Sequence, residues 1–378
     1  MLAHYENYNV SRATCQAVGV TDVPYGGLNM IFAGDFAQQP PVVGGEEGSL
    51  YSRKAGRYGA DARSQKAALG KAIWHLFVVV VLLKQNHRQS ATSADDLEFQ
   101  DCMMRMRLKV CTTKNLTWID SRCAFSSTTD LSIADELFRN VSVITARNIV
   151  KDAINDIGVR RFATESGQEL IEFFSEDWLR VKGQQDRPLS AFLQHELWEQ
   201  PHSFCKSYVP GKLSLCRGMP VMLRYNSATE LSMTKGQEGI VYDWQESRGS
   251  RGQRMLDVLF VELVTPPRPV QFPGLPRNVV PITRQKMTVE CMLPRVTTGS
   301  KYITIVRDQV HVLPNFSMTD YASQGKSREV NVVDLQDCAD HHAYYVALSR
   351  GRTSAGTLIL RGYNPTKIQG GCSGALRQ

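Results

Sequence analysis

Three polar groupings in this chain of 378 residues have types and spacings suited to work on phosphates. The first is Gly34, Asp35 and Gln38, which follow the apolar run 28–33 and precede Pro40-Pro41. A strand ending in Gly, Asp and Gln puts small and polar groups at the carboxyl edge of a parallel sheet, where open α/β sheets bind ligands. A glutamine there can orient a water molecule toward a phosphate, and the prolines stop the strand from continuing. The second is Thr145-Ala146-Arg147-Asn148, between a short β-branched strand at 141–145 and a helix reaching about residue 157. Short polar side chains at such a turn suit phosphate contact, and they equally suit helix capping. The third is Thr319, Ser323, Gln324 and Gly325, where a small residue and a turn let backbone amides approach a phosphate and Gly325 carries no obstructing side chain.

Two arginines stand at element ends. Arg88 follows the apolar run 77–83, and Arg350 closes a predicted helix over 339–350. An arginine ending a helix complements the helix dipole and requires no further role. The remaining elements have to position these groups. Helices are predicted at 1–19 and at 93–110, the latter with Ser93 as cap, Asp95 and Asp96 in its first turn and Arg105, Arg107 and Lys109 at its end. Its Met103, Met104 and Met106 read as core packing. Residues 117–123 read as a short helix or linker. Strands are predicted at 28–33, 77–83, 141–145, 256–263, 330–335 and 357–360. Short strands separated by glycines are expected through 213–225 and 240–242, and a pair of strands around Arg307-Asp308. The stretch 41–65 is a Gly-rich surface loop. The loop 246–254 carries Arg248, Arg251 and Arg254, able to track phosphates or simply to stay solvated.

Composition bounds the reading. Hydrophobic residues make up 42% and charged residues 21%, as in ordinary globular chains. No apolar run approaches the roughly 18–20 residues of a membrane span, and residues 1–10 show no signal-peptide pattern. The net charge of +7 is compatible with a polyanionic partner, although many proteins of this size carry such a charge and bind none. Nine cysteines without a Cys-x-x-Cys pair read as reduced thiols rather than a zinc site or disulfide framework. A phosphate loop, G-x-x-x-x-G-K-[ST], is not found. Gly325-Lys326-Ser327 ends like one, but Asp320 stands at the first glycine position and a strand follows. Gly70-Lys71 and Gly211-Lys212 fail because Gln65 and Lys206 stand there.

In this order, the motifs resemble those of superfamily-one DNA helicases, nearest to the petite-integration-frequency (PIF) family and its fungal and Helitron-transposon relatives. Gly34, Asp35, Gln38, Pro40, Pro41 and Val42 match the third motif, G-D-x-x-Q-L-P-P-V, with Gln39 where the family has Leu. Arg88-Gln89 matches the end of the fourth; Thr145 and Asn148 match T-x-x-N; Gly218, Val221, Met222 and Leu223 match G-x-x-V-M-L of a small β-barrel insertion. Thr319 and Ser323-Gln324-Gly325 match the fifth motif, with Tyr321-Ala322 where the family often has His-Lys, and Val346-Ala347-Leu348-Ser349-Arg350 matches the sixth, V-A-L-S-R. The resemblance implies an α/β fold of the P-loop NTPase helicase type. Its expected parts are the end of a first RecA-like motor domain at 1–85, a second at 86–210 with 301–378, and the barrel at 211–300.

The resemblance further implies an ATP-dependent helicase moving 5′ to 3′ along single-stranded DNA, with ATP and Mg²⁺ at the domain seam. Gly34 and Asp35 would bind nucleotide, Gln38 would position water, and Arg88 and Arg350 would act on the phosphates. Thr145, Asn148, Thr319, Ser323, Gln324 and Gly325 would contact DNA. The chain begins Met1-Leu2, where the family's second motif ends D-E-x-S-M-L, as if cut just after the metal-binding carboxylates. Lacking those and the lysine loop, the chain alone is expected to hydrolyse ATP poorly or not at all. The competing reading is a non-catalytic single-strand binder built from the second motor domain and its barrel. A third is that the first domain does not fold and leaves 28–33 exposed. A nuclear or mitochondrial location goes with the resemblance.

Overall fold

The computed structural model describes residues 2–52, 59, 61–89, 92–124, 129–293 and 301–377; Gly56 of the expected surface loop and residues 294–300 of the expected barrel lie outside these. The chain divides into two units, Met1–Phe138 with Ser323–Gln378, and Arg139–Ala322.

The first unit opens with α1, His4–Val18, stopped by Gly19 in the left-handed conformation. Helix α2, Ala62–Trp74, starts at Asp61, whose carboxylate accepts from the Arg63 and Ser64 amides. The two helices meet at Gly70, where an added Cβ would lie 1.8 Å from the His4 carbonyl oxygen. Asn7 Nδ2 donates to the Gly70 carbonyl at 2.9 Å, so the close approach is also hydrogen-bonded. Helix α3, Ala94–Arg107, has the predicted Ser93 cap, with Ser93 Oγ accepting from Asp96 N. It buries Phe99, Cys102, Met103 and Met106, while Met104 faces out. Helix α4, Thr113–Ser121, begins in a Thr112–Asn115 capping box and stacks Trp118 on Phe99 at 4.9 Å.

The second unit begins with β1, Val143–Thr145, which feeds α5, Asn148–Glu165. Then come β2, Ile171–Phe174, β3, Glu176–Leu179, β4, Arg187–Pro188, and α6, Ala191–Trp198. Strands β5, Lys212–Leu215, β6, Pro220–Leu223, β7, Glu238–Arg248, β8, Arg254–Leu263, and β9, Val279–Thr283, follow. Strands β10, Gln285–Met292, β11, Tyr302–Gln309, β12, Val312–Pro314, and β13, Ser317–Thr319, complete it. One antiparallel sheet runs β12-β6-β7-β8-β9 and another β10-β11-β3-β4. The alternation of the strands buries Leu213, Leu215, Val221, Val241, Leu259, Val261 and Val280 in one core with Val159 and Ala163 of α5. Strands β1 and β13 pair in parallel, with Thr145 opposite Thr319. Gly158 lets α5 lie against Phe316, since a Cβ there would come within 2.4 Å of its ring.

Back in the first unit, one helical turn ends at Ser323, and β14, Asn331–Asp334, pairs in parallel with β15, Thr357–Ile359. Between them lies α7, His341–Leu348, with the Asp340 carboxylate accepting from Ala343 N.

Three expectations are corrected. Residues 28–33 and 77–83 are in no strand. Ile31 is 94% exposed and Val78 to Leu83 are 76–93% exposed. A parallel strand exists only through neighbours that take its N–H and C=O groups, and neither segment has such a ladder among the described residues. What holds their ends is aromatic: Phe32 lies 4.9 Å from Phe77 and 5.9 Å from Trp74, and Tyr25 lies 6.0 Å from Phe77. Next, the chain does not break into two strands at Arg307-Asp308, because β11 runs straight through them. Arg307 is buried there against Asp177 of β3, at 2.9 and 2.8 Å. Lastly, the arginine-rich loop shrinks to a hairpin turn between β7 and β8. In it Arg248 donates to the Gly252 carbonyl, Arg251 to the Leu189 carbonyl, and Arg254 pairs with Glu246.

Candidate functional sites

In the first unit the ends of several elements converge on two arginines. Arg350 follows α7 and is fully buried. Its guanidinium donates to the Val346 carbonyl at 2.8 Å, to Ser349 Oγ at 2.8 Å and to the Lys326 carbonyl at 3.5 Å. Arg88 reaches the same place from the other side, donating to Ser327 Oγ at 2.9 Å and to the Ser349 carbonyl at 3.2 Å. Gln89 Nε2 donates to the Gly351 carbonyl at 3.3 Å. Among the described residues neither arginine has a carboxylate within ion-pair distance. Burial, followed by the neighbouring Arg88 guanidinium, pushes the Arg350 pKa down to about 10, so it stays charged at neutral pH. Two like charges held together by carbonyls and hydroxyls leave an electrostatic demand that an oligophosphate anion meets.

Asp35 and Gln38 lie on the loop facing α7. Asp35 Oδ1 accepts from Arg107 at 2.8 Å and Oδ2 from the Tyr345 hydroxyl at 3.2 Å. Burial, then the Asp35 charge, pushes the Tyr345 phenol up to about 12. His342 Nδ1 lies 2.8 Å from the Ala37 carbonyl oxygen. The loop is thereby tied to α3 and α7, and Gln38 stands half-buried within it, its amide donating to the Asp35 carbonyl. Gln39, where the family pattern has leucine, is buried. Gly34 is exposed with open space around it. Ser323 is fully buried, and Gln324 and Gly325 form the turn after it. Gly325 has φ +79°, which a side chain would strain, and the turn delivers Lys326 and Ser327 to the two arginines.

The polyphosphate and the metal fare differently. The arginines suit phosphate oxygens. For Mg²⁺ the Asp35 carboxylate is already engaged by Arg107 and Tyr345, and no three metal-ligating side chains come together among the described residues.

The second unit brings together Thr145, Asn148 and Thr319 at the carboxyl ends of β1 and β13. Capping does not explain them. Arg147 holds the N-cap position of α5, and no side chain caps that helix. Thr145 is 1% exposed and its Oγ1 has no hydrogen-bond partner. Thr319 Oγ1 accepts from Ala322 N at 3.4 Å. Asn148 Nδ2 instead donates to the Tyr208 hydroxyl at 3.0 Å. The arrangement sets the half-buried Asn148 and Thr319 beside the open amides of a helix start and leaves the Thr145 hydroxyl buried without a partner.

Sequence reasoning placed Tyr345, Tyr208, Lys151 and Arg224 at no site and read Arg107 only as a helix-end charge. Arg224 directly follows the G-x-x-V-M-L stretch, which was a usable signal. Nothing in the sequence pointed to Tyr208, which comes from an irregular segment far along the chain.

No protein-family model matches the chain. It is 23% identical to "Uncharacterized protein 030L" of Invertebrate iridescent virus 6, across 88% of this chain and 64% of that protein. It is 24% identical to the ATP-dependent DNA helicase PIF1 of Mus musculus, across 94% of this chain and 43% of that protein. The chain thus spans less than two thirds of either relative. Among solved structures, the Pif1 helicase from Candida albicans matches with TM-score 0.61 and 18% identity, covering 99% of this chain and 73% of that one. Bacteroides Pif1 bound to single-stranded DNA matches with TM-score 0.60 and 15% identity, covering 98% and 70%. The architecture is therefore a two-domain α/β fold like that of these solved Pif1 structures.

Proposed function

We propose that this chain is part of an ATP-dependent DNA helicase motor of the Pif1 type, moving 5′ to 3′ on single-stranded DNA. The observation that carries the reading is the buried Arg350 beside Arg88, neither with a carboxylate partner among the described residues. Arg350 stabilises charge on a transferring phosphoryl group, Arg88 engages its terminal oxygens, and Gln38 orients the attacking water. Bound ATP with Mg²⁺ supplies the phosphoryl chemistry. Thr145, Asn148, Thr319, Ser323, Gln324 and Gly325 hold the DNA backbone. The Pif1 structures solved with single-stranded DNA and with ADP-AlF₃ support the choice of ligands. A nuclear or mitochondrial location goes with this reading.

Residues 1–378 contain no lysine-bearing phosphate loop, and the Mg²⁺ carboxylates are not assembled among the described residues. Those groups supply most of the electrostatic stabilisation in such sites. By themselves these residues therefore bind single-stranded DNA but turn over ATP slowly or not at all. The test is steady-state ATP hydrolysis with and without single-stranded DNA, beside a binding isotherm. Robust DNA-stimulated turnover abolished by Arg350→Ala would show that the site is complete. Absence of any single-strand binding would remove the helicase reading itself.

A further inference from the structure

The second unit gathers two cations, Lys151 buried and Arg224 half-buried, around one aromatic ring. Lys151 Nζ lies 5.3 Å and the Arg224 guanidinium carbon 5.1 Å from the centroid of Tyr208. The Tyr208 hydroxyl accepts from Asn148. Lys151 is only 7% exposed at its side chain and pairs with Asp152 at 2.8 Å. Arg224 has no such partner. No carboxylate lies within ion-pair distance of it among the described residues, and its buried Nε makes no hydrogen bond. Burial depresses the pKa of both groups, and the Arg224 charge lowers that of Lys151 further. Tyr208 itself sits at φ 55°, a left-handed conformation that costs a non-glycine residue free energy. A strained backbone at Tyr208, with a buried and a half-buried cation on its ring and one of them without an ion pair, lowers the stability of the empty protein. An anion placed there would offset that deficit.

We infer that Arg224 and Lys151, clasping Tyr208 beside Asn148 and the uncapped start of α5, form a binding site for a phosphodiester group of single-stranded nucleic acid. The inference rests on the single-strand reading above and assigns it a specific anchor. Arg224 supplies charge-assisted hydrogen bonds to the phosphate and Lys151 a second positive charge. Tyr208 holds both heads in place through its π face and gives the site an aromatic surface of the kind bases stack on. The unpaired Oγ1 of Thr145, three residues before α5 begins, is a further hydroxyl for the same backbone.

The test compares the full chain with Arg224→Gln, using a fluorescein-labelled oligothymidylate in anisotropy titrations over a salt series, with melting temperatures measured without DNA. The expected result is about a tenfold loss of affinity at moderate salt and a salt slope shallower by about one. The melting temperature should be unchanged or higher, because a half-buried charge without an ion pair has gone. Arg224→Lys should keep most of the salt slope while losing affinity. Three results overturn the inference: wild-type slope and affinity in Arg224→Gln, a lowered melting temperature that accounts for the lost binding, or displacement of the oligonucleotide by inorganic phosphate at matched ionic strength. If the wild-type chain binds no oligonucleotide, the helicase reading and this site fall together. If it binds and Arg224→Gln binds equally well, only the site falls.

Discussion

Arg307→Met should be among the most damaging single substitutions in the second unit. The Arg307 side chain is 3% exposed and that of Asp177 is fully buried. Two parallel bonds of 2.9 and 2.8 Å join them, Gln194 Nε2 donates to the same carboxylate at 3.0 Å, and Arg307 also donates to the Val209 carbonyl at 2.9 Å. Methionine fills much of the volume but leaves the carboxylate without its counter-charge. Removing one partner of a buried pair costs about 3–5 kcal/mol. A unit the size of residues 139–322 shifts by roughly 2–4 °C per kcal/mol, so its melting transition should fall by ~6–20 °C. Replacing both partners, as Arg307→Met with Asp177→Leu, removes the charges together. That variant should melt above either single variant, since a buried pair and its apolar replacement are often nearly equal in stability. Circular dichroism melts of the wild type, the two single variants and the double variant complete the cycle. A double variant destabilised by the sum of the singles would refute the reasoning. So would an Arg307→Met protein melting within a degree or two of wild type.

Gly70→Ala forces a methyl onto the His4 carbonyl and should loosen α1 from α2, at a cost of about 1–3 kcal/mol; hydrogen exchange in α1 reads this directly. His341, its ring tilted against His342 at 4.0 Å, has its pKa pushed down to about 4 by burial and then by His342. Between pH ~6.5 and ~4 the unfolded chain therefore binds more protons than the folded one, and stability falls as the pH drops through that window. The full effect is on the order of 3 kcal/mol, and His341→Gln should make chemical-denaturation midpoints less pH-dependent there. Asp35→Asn removes one cause of the raised Tyr345 pKa, so that phenol should titrate below about 12 in an ultraviolet difference titration. A titration superimposable on wild type would separate the two groups.

Local sequence signals were enough for a good part of this molecule. Ser93 and the acidic first turn placed α3, the β-branched run placed β1, and the glycines of 213–263 marked a β-rich region, because each depends on neighbours a few residues away. The order of the short motifs also singled out Arg88 and Arg350, which the fold brings together at Ser349, and Thr145 and Thr319, which pair across β1 and β13. Other features needed the folded chain. The apolar runs 28–33 and 77–83 have strand composition, yet a strand is a property of a ladder, and no partner strand lies beside them among the described residues. Arg307 looked like a turn residue because its counter-charge, Asp177, is 130 residues away in sequence. Asp35 binds Tyr345 across 310 residues, and Tyr208 meets Asn148 across 60. Which polar groups are buried, and whether they find a partner, depends on such distant approaches. Only the tertiary structure could show that Arg350 is buried and Arg224 half-buried, each without a carboxylate at ion-pair distance among the described residues.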